Sequence, residues 1–147
     1  MKRMKLLLLI LLIFRLPSYC PQDKSLVILE APVIKPYEAV WNAHCYVETR
    51  SNPDAIGDTK LKKKSYGIVQ IRETILKDYY RQTGIRYTEK DMFDPVKSKE
   101  VFMFYATQIH PSDIERISRE WNGGDRGMKK KSTKPYYKLI LKALEKS

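Results

Sequence analysis

The chain has 147 residues, 43% of them apolar and 31% charged, with a formal net charge of +11. That length fits one domain with a real core but not two, and that apolar fraction excludes a disordered chain. The first twenty residues hold four basic and no acidic side chains, so the remainder still carries 11 − 4 = +7; such an excess suits a nucleic acid, an anionic lipid face or an anionic wall polymer and does not choose among them.

The N-terminus has the pattern of an export segment. Met1-Lys2-Arg3-Met4-Lys5 is a positive start, and Leu6 to Phe14 is an unbroken apolar run. The run is short for a bilayer span and right for a signal-peptide core. Residues 1–20 are therefore expected to lie outside the fold, and the protein is expected to be exported to the periplasm or envelope. Cys20 offers a lipid-anchor site, although Tyr19 stands where a lipobox carries a small residue. The segment 21–36, punctuated by Pro32 and Pro36, reads as an extended leader whose Leu26-Val27-Ile28-Leu29 packs on the domain. With Cys20 removed or lipidated, Cys45 is alone, so no disulfide framework follows. It sits in an apolar helical pattern and reads as a small core residue.

Apolar spacing predicts five helices. The first runs from about Tyr37 to Glu48, with Val40, Ala43, His44 and Val47 on one face. The second covers Arg72 to Gln82, with Ile75, Leu76, Tyr79 and Tyr80 inward and Gly84 as its stop. Asp94-Pro95 reads as an N-cap followed by proline at the first helical position. The third helix then continues to about Ile109 through Val101, Phe102 and Tyr105, and Pro111 breaks it. The fourth begins at Pro111 or Ser112, carries Ile114, Ile117 and Trp121, and ends at Asn122-Gly123-Gly124. The last spans about Lys134 to Glu145, with Tyr137, Ile140, Leu141 and Leu144 inward. Between the first two helices, Ile56-Gly57-Asp58 and Lys62-Lys63-Lys64 are expected to form a short ragged hairpin. No internal repeat or low-complexity tract is present.

Chemistry concentrates between Glu48 and Ile71. A carboxylate closes an apolar helical pattern. A polar turn, Asn52-Pro53-Asp54, follows, then the basic run from Lys60 to Lys64, and the chain returns as Ser65-Tyr66-Gly67-Ile68-Val69-Gln70-Ile71. Such a layout can hold one acid at the lip of a groove that the returning segment also lines. Each piece alone has an ordinary explanation, since Asn-Pro-Asp is turn chemistry and a glutamate at a helix end is usually a solvated charge. His44 lies one turn before Glu48 and has no partner at metal-ligand spacing, so it reads as a packed histidine.

In order and spacing, this stretch resembles the signature of the lysozyme-like lytic transglycosylases. In that family the catalytic Glu is followed by a small or hydroxyl residue, by Asn-Pro-x-Ala, and by Gly-Leu-x-Gln-Ile. Further matches lie downstream. Glu120-Trp121-Asn122-Gly123-Gly124 is similar to the family's Ala-Tyr-Asn-Ala-Gly, Thr133-Lys134-Pro135-Tyr136 to its Glu-Thr-x-x-Tyr, and Phe93-Asp94-Pro95 to the Asp-Pro that opens the intervening helix. The departures are Thr49 after the Glu, Trp121 for Tyr, Gly123 for Ala, Ser132 for Glu, and the lysine-rich insertion before Gly67. The resemblance covers about Tyr37 to Leu141. It implies a mostly α, lysozyme-like single domain over residues 37–147, with a small β-hairpin or irregular loop next to the active-site groove.

For function, the resemblance implies a lytic transglycosylase that cuts the β-1,4 bond between N-acetylmuramic acid and N-acetylglucosamine in peptidoglycan. Glu48 is its only acid, with a raised pKa. Ser65, Tyr66, Gly67, Gln70, Asn122, Gly123 and Tyr136 are implied as substrate-binding residues. Gln70 and Asn122 would present amides to N-acetyl groups, Tyr136 would orient Glu48, and Val47, Tyr66 and Ile68 would supply its apolar surroundings. No metal or organic cofactor is implied. The partners are glycan strands and, in some settings, an envelope-spanning secretion or conjugation apparatus. The alternatives are a hydrolysing lysozyme using Asp54 or Asp58 as second carboxylate, a non-catalytic wall-binding module, and a basic nucleic-acid binder, which the export segment disfavours.

Overall fold

The computed structural model describes residues 31–109 and 112–146. The export segment, Cys20, the leader over residues 21–30 and the break at Pro111 lie outside the described residues. The described chain is mostly helical with one small sheet. Its helices are α1 (Ala31–Thr49), α2 (Glu73–Thr83), α3 (Pro95–Phe104), α4 (Ile114–Gly123) and α5 (Lys134–Leu144). None of them is long and apolar enough to cross a membrane.

The predicted boundaries hold where capping chemistry sets them. Asp94 caps α3, its carboxylate accepting from the Val96 amide at 2.8 Å, with Pro95 behind it at the first helical position. Gly84 closes α2 in the left-handed conformation at φ 76°. At α1 the expectation fails. The helix begins at Ala31, so residues 31–36 are helical rather than extended. Pro32 falls in the first turn, where an amide hydrogen has no partner anyway, and Pro36 forfeits one further bond without ending the helix. Past α3 the chain loosens into a π-helical turn, Tyr105–Ile109.

The sheet also differs from the hairpin expected. Strand β1 (Ile56–Gly57) pairs antiparallel with β2 (Ser65–Tyr66), which pairs with β3 (Ile71–Arg72). The lysines form the exposed connection rather than a strand. Ammonium groups crowded along a two-residue strand would repel one another, whereas Ser65 is buried and fits the ladder.

Phe102 of α3 is fully buried at the centre of the core. Its ring meets Trp41 at 5.4 Å, His44 at 4.8 Å and Trp121 at 5.0 Å. Around these rings pack Val40, Val69, Ile71, Leu76, Met92, Val101 and Ile117. The core thus fastens α1, α3, α4 and the returning segment to one another, which fixes the relative positions of Glu48 and the residues across from it. Truncating a ring in such a place costs about 3–5 kcal/mol.

Candidate active site

Glu48 sits in the last turn of α1. Just beyond it, Arg50 and Ser51 take left-handed conformations and return their amides to the Tyr46 and Cys45 carbonyls. Thr49 makes the next connection. Its hydroxyl donates to the Ile68 carbonyl at 2.8 Å and accepts from the Asn52 amide at 3.1 Å. The returning segment is thereby docked on the helix end that carries Glu48. This is the physical use of a hydroxyl residue directly after the acid.

The segment itself is held by Gly67 and Gln70. Gly67 has φ +75°, and a Cβ there would fall 1.8 Å from the Met92 carbonyl oxygen, so only glycine fits. Gln70 has φ +57°. Its amide donates to the Gly67 and Ala55 carbonyls at 2.9 and 3.3 Å, and its carbonyl accepts from Ser65 Oγ at 2.8 Å. From across the core, Trp121 donates its indole N–H to the Val69 carbonyl at 3.1 Å.

A groove of about 1020 Å³ opens beside these elements. Glu48, Asp58, Ser65, Gln70 and Arg72 line it together with the face of α2 that carries Thr74, Asp78 and Arg81, Tyr105, the last turns of α4, Asp125 and Lys130. Of the predicted site residues, the groove brings together Glu48, Ser65, Gln70, Asn122 and Gly123. Asn122 is exposed, and its side chain has no hydrogen bond among the described residues. Gly123 is needed for packing as well as access, because a Cβ there would meet the Thr133 methyl at 2.6 Å.

Three expectations are corrected. Tyr66 and Gly67 do not line the groove: Tyr66 stands edge-on to Phe93 at 6.0 Å, and Gly67 is a buried backbone contact. Gln70 faces the groove, but its amide is engaged by the sheet, so it shapes the wall rather than offering a hand to a ligand. Val47 lines a separate depression between α1 and α5 rather than the surroundings of the acid.

Glu48 is half-buried, and that burial lifts its pKa above the ordinary carboxylate value. The Tyr136 hydroxyl, donating to Glu48 Oε1 at 2.7 Å, opposes the rise, as does the Arg72 guanidinium, while Asp58 adds to it. Burial wins. Tyr136 is not a groove residue; it reaches the acid from α5, and burial pushes its own pKa far up, so it remains a donor. Behind it stands His44, its ring 6.0 Å from that of Tyr136 and its Nδ1–H bonded to the Val40 carbonyl at 2.8 Å. Burial lowers the His44 pKa to about 4, so the imidazole is neutral, and its buried Nε2 has no hydrogen-bond partner among the described residues. Neighbouring Cys45 is buried, with its pKa raised to about 12, as suits an inert core thiol.

The two candidates for a second carboxylate behave differently. Asp58 lines the groove, and its Oδ2 receives Arg72 Nη2 at 2.6 Å and Nε at 3.1 Å. Asp54 is exposed in a turn, its amide donating to Asn52 Oδ1, and it does not line the groove. Among the described residues no cluster of His, Cys, Asp or Glu comes together as a metal site.

Sequence reasoning missed Arg119 and Arg72. Arg119 is 5% exposed and binds Glu115, Thr133 Oγ1 and the Met128 and Lys130 carbonyls, which shapes the loop that brings Lys130 to the groove. The i, i+4 spacing from Glu115 was its one visible sign. Arg72 had none, since its pairing with Asp58 depends on the sheet register. The sequence matches no protein-family model and no curated protein.

Proposed function

We propose that the protein is a lytic transglycosylase acting on peptidoglycan, with Glu48 as its single general acid and base. The observation that carries this reading is the environment of Glu48: a carboxyl at the edge of an open groove, its pKa raised by burial and its direction set by one hydroxyl donor. A general acid working near neutral pH needs such a carboxyl. The protonated Glu48 gives its proton to the glycosidic oxygen as the bond to the muramyl C1 breaks. The resulting carboxylate then takes the proton of the muramyl C6 hydroxyl, whose oxygen closes on C1. The product is a 1,6-anhydro end, and Glu48 is again protonated. Asn122 offers donor and acceptor groups to an N-acetyl group along the groove. Export to the envelope and contact with a secretion or conjugation apparatus belong to the same proposal.

One observation favours a second reading. Asp58 lines the same groove as Glu48, and a hydrolase would need such a second carboxylate. The products separate the two. Purified sacculi digested with the protein should release non-reducing 1,6-anhydro-muropeptides, and Glu48→Gln should abolish release while leaving the fold intact. Near wild-type lysis by that variant would end the single-acid mechanism. Reducing-end products alone would move the assignment to a lysozyme.

A further inference from the structure

The excess charge is concentrated in one part of the chain. Residues 126–146 hold eight Lys or Arg side chains and one acid, Glu145, a net of +7 within 21 residues. The groove around Glu48 is close to balanced by comparison. Five carboxylates (Glu48, Asp58, Asp78, Glu120 and Asp125) line it against four cations (Arg72, Arg81, Arg116 and Lys130).

Three of those cations, Lys134, Lys138 and Lys142, lie on α5. Leu139, Lys142 and Ala143 lie at i, i+3 and i+4 on one face of that helix, and Lys146 follows just past its end. Together with Tyr46 and Val47 of α1 and Arg50 just beyond it they line a shallow depression of about 210 Å³. Its cations are Arg50, Lys142 and Lys146, and no carboxylate lines it. None of the three has an ion-pair partner among the described residues. Tyr46 is 46% exposed and Leu139 is 51% exposed. The Arg50 guanidinium lies over the Tyr46 ring, 4.4 Å from its centroid. Single exposed apolar side chains are ordinary on a protein surface. Here an aromatic and a leucine are gathered at one seam, ringed by cations alone.

We propose that this seam between α1 and α5 docks on an anionic lipid surface. Arg50, Lys142 and Lys146 face headgroup phosphates, Tyr46 lies at headgroup level, and Leu139 enters the acyl boundary. The chemistry favours lipid over nucleic acid. Lysine on a flexible stem is a point charge that needs no fixed phosphate geometry, whereas a leucine at the centre of the contact has no counterpart on a phosphate backbone. The seam shares no residue with the groove around Glu48.

The test uses the full chain with a photoreactive benzoylphenylalanine in place of Leu139, and the same probe in place of exposed Ile85 as a control site. With vesicles containing phosphatidylglycerol, the probe at position 139 should capture lipid several-fold more than the probe at 85. Capture should fall several-fold in pure phosphatidylcholine vesicles and at high salt. Lys142→Glu and Lys146→Glu combined should abolish the difference between the two sites. Equal capture at 139 and 85 would mean that any membrane proximity is not directed by this face, and would overturn the proposal. Capture that ignores lipid charge, or preferential capture of a duplex oligonucleotide at 139, would overturn it as well.

Discussion

Tyr136→Phe removes the one hydroxyl that reaches Glu48 and leaves the ring. The ring is what packs against His44, with centroids 6.0 Å apart, so the core is kept. The bond lost is 2.7 Å long and part-buried. Its acceptor is charged whenever Glu48 is ionised, and bonds of that kind are worth about 1.5–3 kcal/mol. The sign follows from which form the bond favours. It supports the carboxylate and so opposes the rise caused by burial. Without it, Glu48 should titrate higher than in the parent protein, and more of it should be protonated at any neutral pH. Turnover should nonetheless fall, by about tenfold to a hundredfold, because the same energy no longer aims the acid. A carboxyl NMR titration and a pH–rate profile on solubilised glycan strands measure the two effects separately. The expected result is an upward move of the Glu48 midpoint and of the basic limb, with a lower plateau. A folded Tyr136→Phe protein whose Glu48 midpoint is unchanged or lower would refute the reasoning.

Three further outcomes follow from the same geometry. Because burial raises the folded pKa of Glu48 above its unfolded value, the folded state holds that proton more tightly, and stability falls as pH rises through the folded pKa; Glu48→Gln should therefore melt higher than the parent at neutral pH, a gain that vanishes in acid below the ordinary glutamate range, as melts across pH will show. Arg119→Met should cost about 1–3 kcal/mol in urea unfolding, since it takes the donor from the Met128 carbonyl while Thr133 Oγ1 keeps its bonds to the Gly127 and Lys130 carbonyls, and a loss below about 0.5 kcal/mol would mean that the guanidinium does not hold that loop. Asp58→Asn breaks a partly exposed pair worth about 0–1 kcal/mol, and muropeptide analysis should show most of the activity retained with anhydro products.

Helix positions were legible because they rest on local chemistry. The apolar periods, the Asp94-Pro95 start and the Gly84 stop are all encoded within a few residues. The proline pair at 32 and 36 misled, because each proline removes a bond but neither forbids the first turns of a helix. Glu48 and its meeting with Tyr136 were read only through motif order, since 88 residues separate them. The small sheet was not legible. A two-residue strand has no period, so Ser65-Tyr66 could not be preferred over the lysines before it. Nor could the sequence show that Gln70 would be engaged by Ser65, Ala55 and Gly67. An amide in a motif looks the same whether it faces a ligand or its own backbone.

A structural need accounts for the carboxylate of Asp58 and not for that of Glu48. Asp58 follows β1 in a left-handed conformation, φ 52°, which aspartate tolerates better than most residues. Its carbonyl accepts from the Leu61 amide at 2.7 Å to close the turn, and its carboxylate anchors Arg72 of β3, so one residue ends a strand and ties two strands together. Asp54 is exposed away from the groove and gives only its backbone amide to the Asx turn of Asn52. Glu48 performs no such service. It caps no helix and closes no turn, and its hydrogen-bond partner among the described residues is the Tyr136 hydroxyl rather than a cation. Its burial makes its ionised form costly to the folded state at neutral pH, and a glutamine of the same shape would accept the Tyr136 hydrogen bond without that cost. A residue that weakens the fold where an isosteric neutral one would serve is the kind kept for chemistry. The same reasoning does not require Asp58 to act, and so favours one acid over two.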